Sequence, residues 1–167
     1  VLVGCALTLP ISSVAICVML GIDGLAAGAA TVGCCAQMVG FAVTSYRDNG
    51  IGGLLSQGLG TSMLQIGNIA RKPIIWLSPI IASAILGPVS TCLLEMTNNA
   101  LGAGMGTSGL VGPLATYATM TEQGASTWPL VTKILSLHII APVVICLVSD
   151  AIMRKAGWIK PGDMKLS

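Results

Sequence analysis

A five-residue pattern, Gly-x-Gly-Thr-Ser, occurs twice in this sequence, at residues 58–62 and again at residues 104–108. Glycine lets backbone amides and carbonyls come close to a ligand, and Thr and Ser hydroxyls both donate and accept hydrogen bonds. Such groups suit a neutral sugar or polyol better than an anion, which would favour a nearby Arg or Lys. The pattern is not a phosphate-binding Walker loop, which needs Gly-Lys-Ser/Thr after four spacer residues.

Nine polar side chains in and around these motifs are candidates to bind such a solute. The hydroxyls and amides could line its path, or could instead cap helices and satisfy backbone groups. Glu95 could accept hydrogen bonds from solute hydroxyls or couple a proton. Alternatively, it could lie among the lipid headgroups. The single histidine, in the middle of a predicted span, could bind solute or form an interhelical hydrogen bond. The candidates are Gln57, Thr61, Ser62, Glu95, Asn98, Asn99, Thr107, Ser108 and His138.

The remaining reactive residue types do not indicate catalysis or metal binding. The histidine has no acid nearby in sequence, which argues against a nucleophile–base–acid arrangement. The six cysteines lack the pair spacing of zinc sites and lie in apolar runs, so we expect them to behave as small buried apolar side chains. We therefore expect no cofactor, no metal and no catalytic residue in this chain.

The composition is that of an integral membrane protein. Apolar residues make up 54% and charged residues 8% of the chain, against roughly 25% charged in a soluble domain. The mean hydropathy is +0.88. A chain with so few charges cannot cover itself with a polar shell, so we expect a lipid bilayer around it. The net charge of +2, without a basic stripe, argues against nucleic-acid binding.

Uncharged runs of about 20 residues predict spanning helices. Two further segments are too polar for a plain span and too apolar for a solvated loop, which favours re-entrant or broken helices. The predicted fold is an all-α polytopic bundle. Its four spans are residues 1–22 (kinked at Pro10), 25–46, 73–94 and 128–149, and its two hairpins are residues 51–72 and 95–112.

The positive charges predict how the chain is oriented. Three of the eight Lys and Arg residues lie at residues 47–72 and four at 150–167. By the positive-inside rule, both segments are cytoplasmic. Residues 1–149 would then form the membrane domain and residues 150–167 a basic tail, whose start is expected to be a solvated helix end. The tryptophans lie near predicted span ends, a position typical of interfacial residues: Trp76, Trp128 and Trp158.

In this topology one motif enters from the cytoplasm and the other from outside. Opposite entry is what an inverted repeat predicts, with the solute site where the two broken elements meet near the middle of the membrane.

Longer stretches around the motifs carry a family resemblance. Residues 58–79 read GLGTSMLQIGNIARKPIIWLSP, residues 82–88 read ASAILGP, and residues 102–113 read GAGMGTSGLVGP. Together with Asn98 and Asn99, these stretches resemble the EIIC-type membrane components of the bacterial phosphotransferase system that are related to the perfringolysin regulator PfoR. The resemblance is dense from about residue 53 to residue 113.

The resemblance implies sugar translocation across the bacterial inner membrane, driven by phosphorylation of the sugar. The phosphate would come from cytoplasmic EIIA- and EIIB-type partner proteins, because this chain has no site suited to carry it. The resemblance also implies a homodimer and a larger protein, of which this chain would be the C-terminal half. The alternatives are a secondary transporter or channel for another small polar solute, and a membrane sensor of PfoR type.

Overall fold

The computed structural model describes residues 1–166, which form helices and short turns with no β-strand among them. The α-helices are α1 (Leu2–Thr8), α2 (Ser13–Met19), α3 (Gly24–Thr44), α4 (Tyr46–Leu55), α5 (Ile66–Arg71), α6 (Leu77–Pro88), α7 (Ala100–Met105), α8 (Val111–Glu122), α9 (Thr127–Leu135) and α10 (Ala141–Lys155). Three π-helical segments (Ser56–Gly60, Val89–Leu93 and Ser136–Ile140) and three 3₁₀ turns (Ser62–Gln65, Pro73–Trp76 and Ser108–Leu110) connect them. The predicted all-α bundle is confirmed.

Helix α3 forms the centre of the bundle. Its first turn is capped by the Asp23 carboxylate, which accepts a hydrogen bond from the Gly24 amide at 2.8 Å. The helix is mostly apolar and rich in Gly and Ala, so other helices can pack closely around it. At Gly28 the backbone of Met96 comes so close that an added Cβ would lie 1.9 Å from the Met96 carbonyl oxygen. Helices α1, α6, α7 and α10 pack against α3.

Three helical stretches are long and apolar enough to cross a membrane: Gly24–Thr44, Pro73–Leu93 and Thr127–Lys155. They correspond to the predicted spans at residues 25–46, 73–94 and 128–149. The third continues past its predicted end to Lys155, which is exposed, so the expected solvated helix end is wrong only for Asp150. Asp150 is buried there, and it accepts a hydrogen bond from Nε of Arg154 at 2.7 Å.

The predicted kinked span at residues 1–22 is instead two seven-residue helices, α1 and α2. Pro10 has no N–H to continue a helix, and the Ser12 hydroxyl starts a new one by accepting a hydrogen bond from the Ala15 amide at 3.2 Å. The Ser13 hydroxyl then donates to the Gly104 carbonyl at 2.7 Å, and this hydrogen bond fastens α2 to α7. The described chain therefore has three continuous spanning helices rather than about four.

The segment after α3 folds into a first hairpin, residues 46–72, that begins and ends at the C-terminal end of α3. Nδ2 of Asn49, near its start, donates to the Met164 carbonyl at 2.7 Å. Nδ2 of Asn68, near its end, donates to the adjacent Lys165 carbonyl at 3.0 Å. Because both ends contact the same stretch of chain, the middle of the hairpin lies at its far tip.

A second hairpin, residues 97–123, begins and ends at the opposite end of the bundle. The Asn98 amide donates to the Gly24 carbonyl, at the start of α3, at 3.1 Å. The Thr97 hydroxyl donates to Oε1 of Gln123 at 2.8 Å, which ties the two ends of the hairpin together. The two hairpins therefore point towards each other from opposite ends of α3.

The last described residues pack onto the first hairpin. The Asp48 carboxylate accepts hydrogen bonds from the Gly162 and Met164 amides at 3.0 and 3.2 Å. Met164 is fully buried, in a cluster that includes Phe41 and Ile75. The two basic segments of the sequence, 47–72 and 150–166, thus lie at the same end of the bundle, as the charge pattern predicts.

The ion pair between Lys72 and Asp163 makes the packing of this tail dependent on pH. Partial burial opposes ionisation of Asp163, but hydrogen bonds from Lys72 and from the Lys160 amide outweigh it, so the pKa of this carboxyl lies below its usual value of 3.8. A carboxyl whose pKa is lowered by folding stabilises the fold above its unfolded pKa, and this stabilisation is lost as the pH falls through the folded pKa. We expect the tail to stay packed at neutral pH and to loosen below pH 3.8.

The fluorescence of Trp158, which is 53% exposed and adjoins the buried Ile159, reports this loosening. Titration of the wild type should shift its emission to longer wavelength in the acid range. In Asp163→Asn, which retains all three tryptophans, this acid step should be missing. Identical titrations of the two proteins would contradict the assignment.

Candidate functional site

The two Gly-x-Gly-Thr-Ser motifs lie at the tips of the two hairpins and touch each other. The hydroxyl of Thr107 donates a hydrogen bond to the Gly58 carbonyl at 2.6 Å. Gly106, next to this contact, packs against the backbone of Cys34, which lies midway along the 21 residues of α3. The predicted meeting of the two hairpins is therefore present, and it lies beside the middle of the central helix. We call residues 58–62 and 104–108 the first tip and the second tip.

The motif residues break the helices at both tips. In the first tip, Thr61 is extended (φ −157°, ψ 139°), and its hydroxyl accepts a hydrogen bond from the Met63 amide at 3.2 Å. In the second tip, Gly106 has φ +53° and ψ −134°, a conformation that residues with a Cβ rarely adopt. Each hairpin is thus a broken helix with its break at the motif.

A polar cluster that the sequence did not predict lies against the first tip. The hydroxyls of Ser62 and Thr8 are 2.9 Å apart, and Thr8 also donates to Oε1 of Gln37 at 3.4 Å. The indole N–H of Trp76 donates to the same Gln37 oxygen at 2.8 Å. The indole of Trp76 therefore forms a hydrogen bond inside the bundle, and Trp76 is not the free interfacial residue that the sequence predicted. A glutamine within an uncharged span was the signal that could have revealed this cluster.

Gln57 belongs to a second buried network, on the side of the first tip nearest the tail. Its Nε2 donates to the Ser45 hydroxyl at 2.7 Å, and its Oε1 accepts from Nε2 of Gln65 at 2.9 Å. Gln65 also donates to the Met164 carbonyl at 3.0 Å. The network links the end of α3, both arms of the first hairpin and the tail.

Asn98 and Asn99 lie at the base of the second hairpin rather than at its tip. Nδ2 of Asn98, which is fully buried, contacts the Thr31 hydroxyl at 2.7 Å, the Thr116 hydroxyl at 2.9 Å and the Gly112 carbonyl at 3.2 Å. Oδ1 of Asn99 caps α7 by accepting a hydrogen bond from the Gly102 amide at 2.9 Å. Asn98 therefore holds the second hairpin against α3, whereas Asn99 bonds only within the hairpin.

Glu95 and His138 do not join the tip contact. Glu95 is exposed in the turn before the second hairpin, at the N-terminal end of α3, with φ +48°. His138 is fully buried in the π-helical segment of the third span. Neither of its ring nitrogens has a hydrogen-bond partner among residues 1–166. The structure therefore does not gather the nine predicted residues into one site.

A cavity of about 250 Å³ lies where the tips meet, and its walls are apolar. Gly58 and Leu59 line it from the first tip, Thr107 from the second, and Ile139, the neighbour of His138, from the third span. The Thr107 hydroxyl is already bonded to Gly58. The half-buried Ser108 makes no side-chain hydrogen bond with any described residue. In this arrangement the two tips are in direct contact beside the cavity.

The buried imidazole of His138 gives a prediction about stability. A polar ring buried without hydrogen-bond partners is unfavourable by about 1 to 3 kcal/mol, and leucine would fill a similar volume without polar atoms. We therefore expect His138→Leu to raise the free energy of unfolding by about 1 kcal/mol or more, measured by reversible denaturation in detergent. A lower stability than the wild type would show that the ring nitrogens have partners. Ile139→Leu, one position along, is the control for repacking.

Comparison with protein-family models identifies a family for this chain. The family model described as "Phosphotransferase system, EIIC" matches residues 1–166. No curated protein and no solved structure matches the chain.

Proposed function

Because the chain belongs to the phosphotransferase system EIIC family, we propose that it binds a sugar between the two hairpin tips and translocates it across the bacterial cell membrane. Cytoplasmic phosphotransferase proteins of EIIA and EIIB type would phosphorylate the sugar, and the protein would work as a homodimer. The single observation that carries the proposal is the contact between the two broken-helix tips beside the middle of α3. Two opposed broken helices meeting at mid-depth are the arrangement around which transporter sites are built.

The opening of the tip contact is the step at which the sugar enters. Parting of the tips would free the Thr107 hydroxyl and the Gly58 carbonyl, and would expose Ser62, Ser108 and the broken-helix backbone to sugar hydroxyls. Hydroxyl and backbone groups at broken helix ends both donate and accept, which suits an uncharged polyol. Thr61 of the first tip, Gln57 just before it and His138, whose neighbour Ile139 lines the tip cavity, complete the proposed binding set.

The residues at the base of the second hairpin have a different proposed role. Asn98 and Asn99 would hold the second hairpin in register, so their effect on transport is through its position. Glu95, exposed at the predicted outer end, would meet the sugar before it reaches the tips. The clustering of Lys and Arg near the C-terminal end of α3 supports a cytoplasmic location for that end and for the tail.

The test is uptake of a panel of radiolabelled sugars into vesicles that contain the full-length protein. Each sugar is tested with and without phosphoenolpyruvate and the soluble phosphotransferase proteins. We expect uptake of at least one sugar that requires phosphoenolpyruvate and that falls about tenfold or more in Thr107→Val. Thr132→Val is the matched control, because the Thr132 hydroxyl bonds only to carbonyls of its own helix, at Trp128 and Pro129.

The outcomes separate the candidate functions. Uptake that follows a proton or sodium gradient without phosphoenolpyruvate would favour a secondary transporter. Sugar binding by folded protein without any uptake would favour a membrane sensor. The small apolar cavity and the closed tips are what a sensor with a single closed state would also have. Equal uptake by Thr107→Val and Thr132→Val would contradict the proposed site.

A further inference from the structure

Side chains of the first hairpin bind the main chain of residues 160–166, a segment that we call the strap. Six hydrogen bonds of 2.7 to 3.2 Å join them to strap amides and carbonyls. Two of the side chains, Asp48 and Asn49, lie near the start of the hairpin, and the other two, Gln65 and Asn68, lie near its end. The strap therefore fastens both arms of the hairpin at once.

The strap also fills the space between the hairpin and the spanning helices. Its Met164 is fully buried, in a cluster that contains Ile69 of the return arm, Phe41 of α3 and Ile75 of the second span. Ile159, just before the strap, is buried in the same cluster. The start of the strap is thus fixed to the bundle, and the strap would not move with the hairpin.

A line of buried amides connects the strap to the first tip. Nε2 of Gln65 donates both to the Met164 carbonyl at 3.0 Å and to Oε1 of Gln57 at 2.9 Å. Gln57 immediately precedes Gly58, whose carbonyl accepts the hydrogen bond from Thr107 of the second tip. Gln57 and Gly58 lie in the π-helical segment Ser56–Gly60, a conformation that is rare and often occurs at functional sites.

We propose that the strap controls the tip contact, so that the two tips part only after the strap has left the first hairpin. The hairpin cannot swing away from the second tip as a rigid body while six hydrogen bonds and a buried methionine hold both of its arms to the strap. The polar contact between the tips is a single hydrogen bond, so the strap is the stronger of the two restraints. The inference concerns opening and holds whichever solute passes.

Hydrogen exchange of the full-length protein in nanodiscs, followed by mass spectrometry, tests the proposal. In Asp48→Asn, one of the two oxygens that accept strap amides becomes an NH₂ group, which cannot accept. We expect exchange of the strap and of both tips to rise by the same factor, about tenfold or more. The amides of α3, the central helix, are the internal reference and should be unchanged.

A second variant loosens the strap from its own side, and a control makes the first change elsewhere. Met164→Ala removes the buried side chain of the strap and should also raise exchange of the strap and the tips together. Asp23→Asn makes the same chemical change as Asp48→Asn at the opposite end of α3, where asparagine caps a helix as well as aspartate does. Exchange of the strap and the tips should be unchanged in this control.

The remaining outcomes would overturn the proposal. Faster exchange of the strap with unchanged exchange of the tips would show that the tips stay together without it. Unchanged exchange of the strap in both variants would show that the contacts of Asp48 and Met164 do not hold it. A rise of the same size in α3 would indicate unfolding of the whole bundle, and an equal rise in Asp23→Asn would separate the effect from the strap.

Discussion

Gly106→Ala is expected to lower the free energy of unfolding by about 2 to 6 kcal/mol. Two independent effects add at this position. The backbone at φ +53° and ψ −134° is strained for any residue with a Cβ. In addition, an added Cβ would lie 2.7 Å from the carbonyl carbon and 2.8 Å from the Cβ of Cys34, in the packed centre of α3. The bundle would have to move the second tip away from α3 to accommodate the methyl group.

Reversible denaturation in detergent measures this loss, with Gly109→Ala as the matched control. Gly109 also has a positive φ, of 52°, but an added Cβ there would find its nearest neighbour 3.9 Å away. Gly109→Ala should therefore lower the free energy of unfolding only through its unfavourable backbone conformation, by about 1 to 2 kcal/mol. If the two variants were destabilised equally, the close approach of the second tip to α3 would be refuted.

Asn98→Asp is expected to lower the free energy of unfolding by about 3 kcal/mol or more. The substitution keeps the shape of the side chain but replaces an NH₂ group that contacts Thr31, Thr116 and the Gly112 carbonyl. A carboxylate cannot donate to that carbonyl, and its charge would be buried without a cation beside it. The second hairpin would lose its main polar attachment to α3.

Asn99→Asp is the control, because it makes the same chemical change one residue away. Asn99 caps α7 through its Oδ1, and an aspartate cap is equally good and interacts favourably with the helix N-terminus. We expect a change within about 1 kcal/mol. The stabilities of the two variants are compared through their denaturation midpoints. A larger loss in Asn99→Asp than in Asn98→Asp would mean that Asn98 is not the residue that fastens the hairpin.

The spanning helices and the meeting of the tips could be predicted because their signals are local. A run of about 20 uncharged residues indicates a span by length alone, and the repeated motif carries its own glycines and hydroxyls. Opposite entry of the two motifs followed from the alternation of positive charge along the chain. Within each span and each motif the signal comes from residues that are close together in sequence, and the charge pattern requires only the positions of Lys and Arg along the chain.

The features that the sequence did not reveal depend on distant partners. Thr8 reaches Ser62 across 54 positions, and Asn49 reaches Met164 across 115. Pro10 was compatible with a kink as well as with a complete break. The contact of Ser13 with Gly104, 91 positions away, accompanies the break. Asn98 was predicted as a solute ligand because an amide in an apolar segment indicates function and internal attachment equally well.

The contact between Thr107 and Gly58 also affects how the proposed site could exclude water and ions and still open quickly. A barrier against leakage has to exclude water and ions, and backbones that approach closely at glycine favour such exclusion. Yet the polar contact that joins the two tips is a single hydrogen bond, whose net contribution is about 1 kcal/mol. A polar contact of this kind needs little energy to open. We therefore expect the rate of opening to be set by the movement of the hairpins as rigid bodies, on the microsecond-to-millisecond scale of such motions.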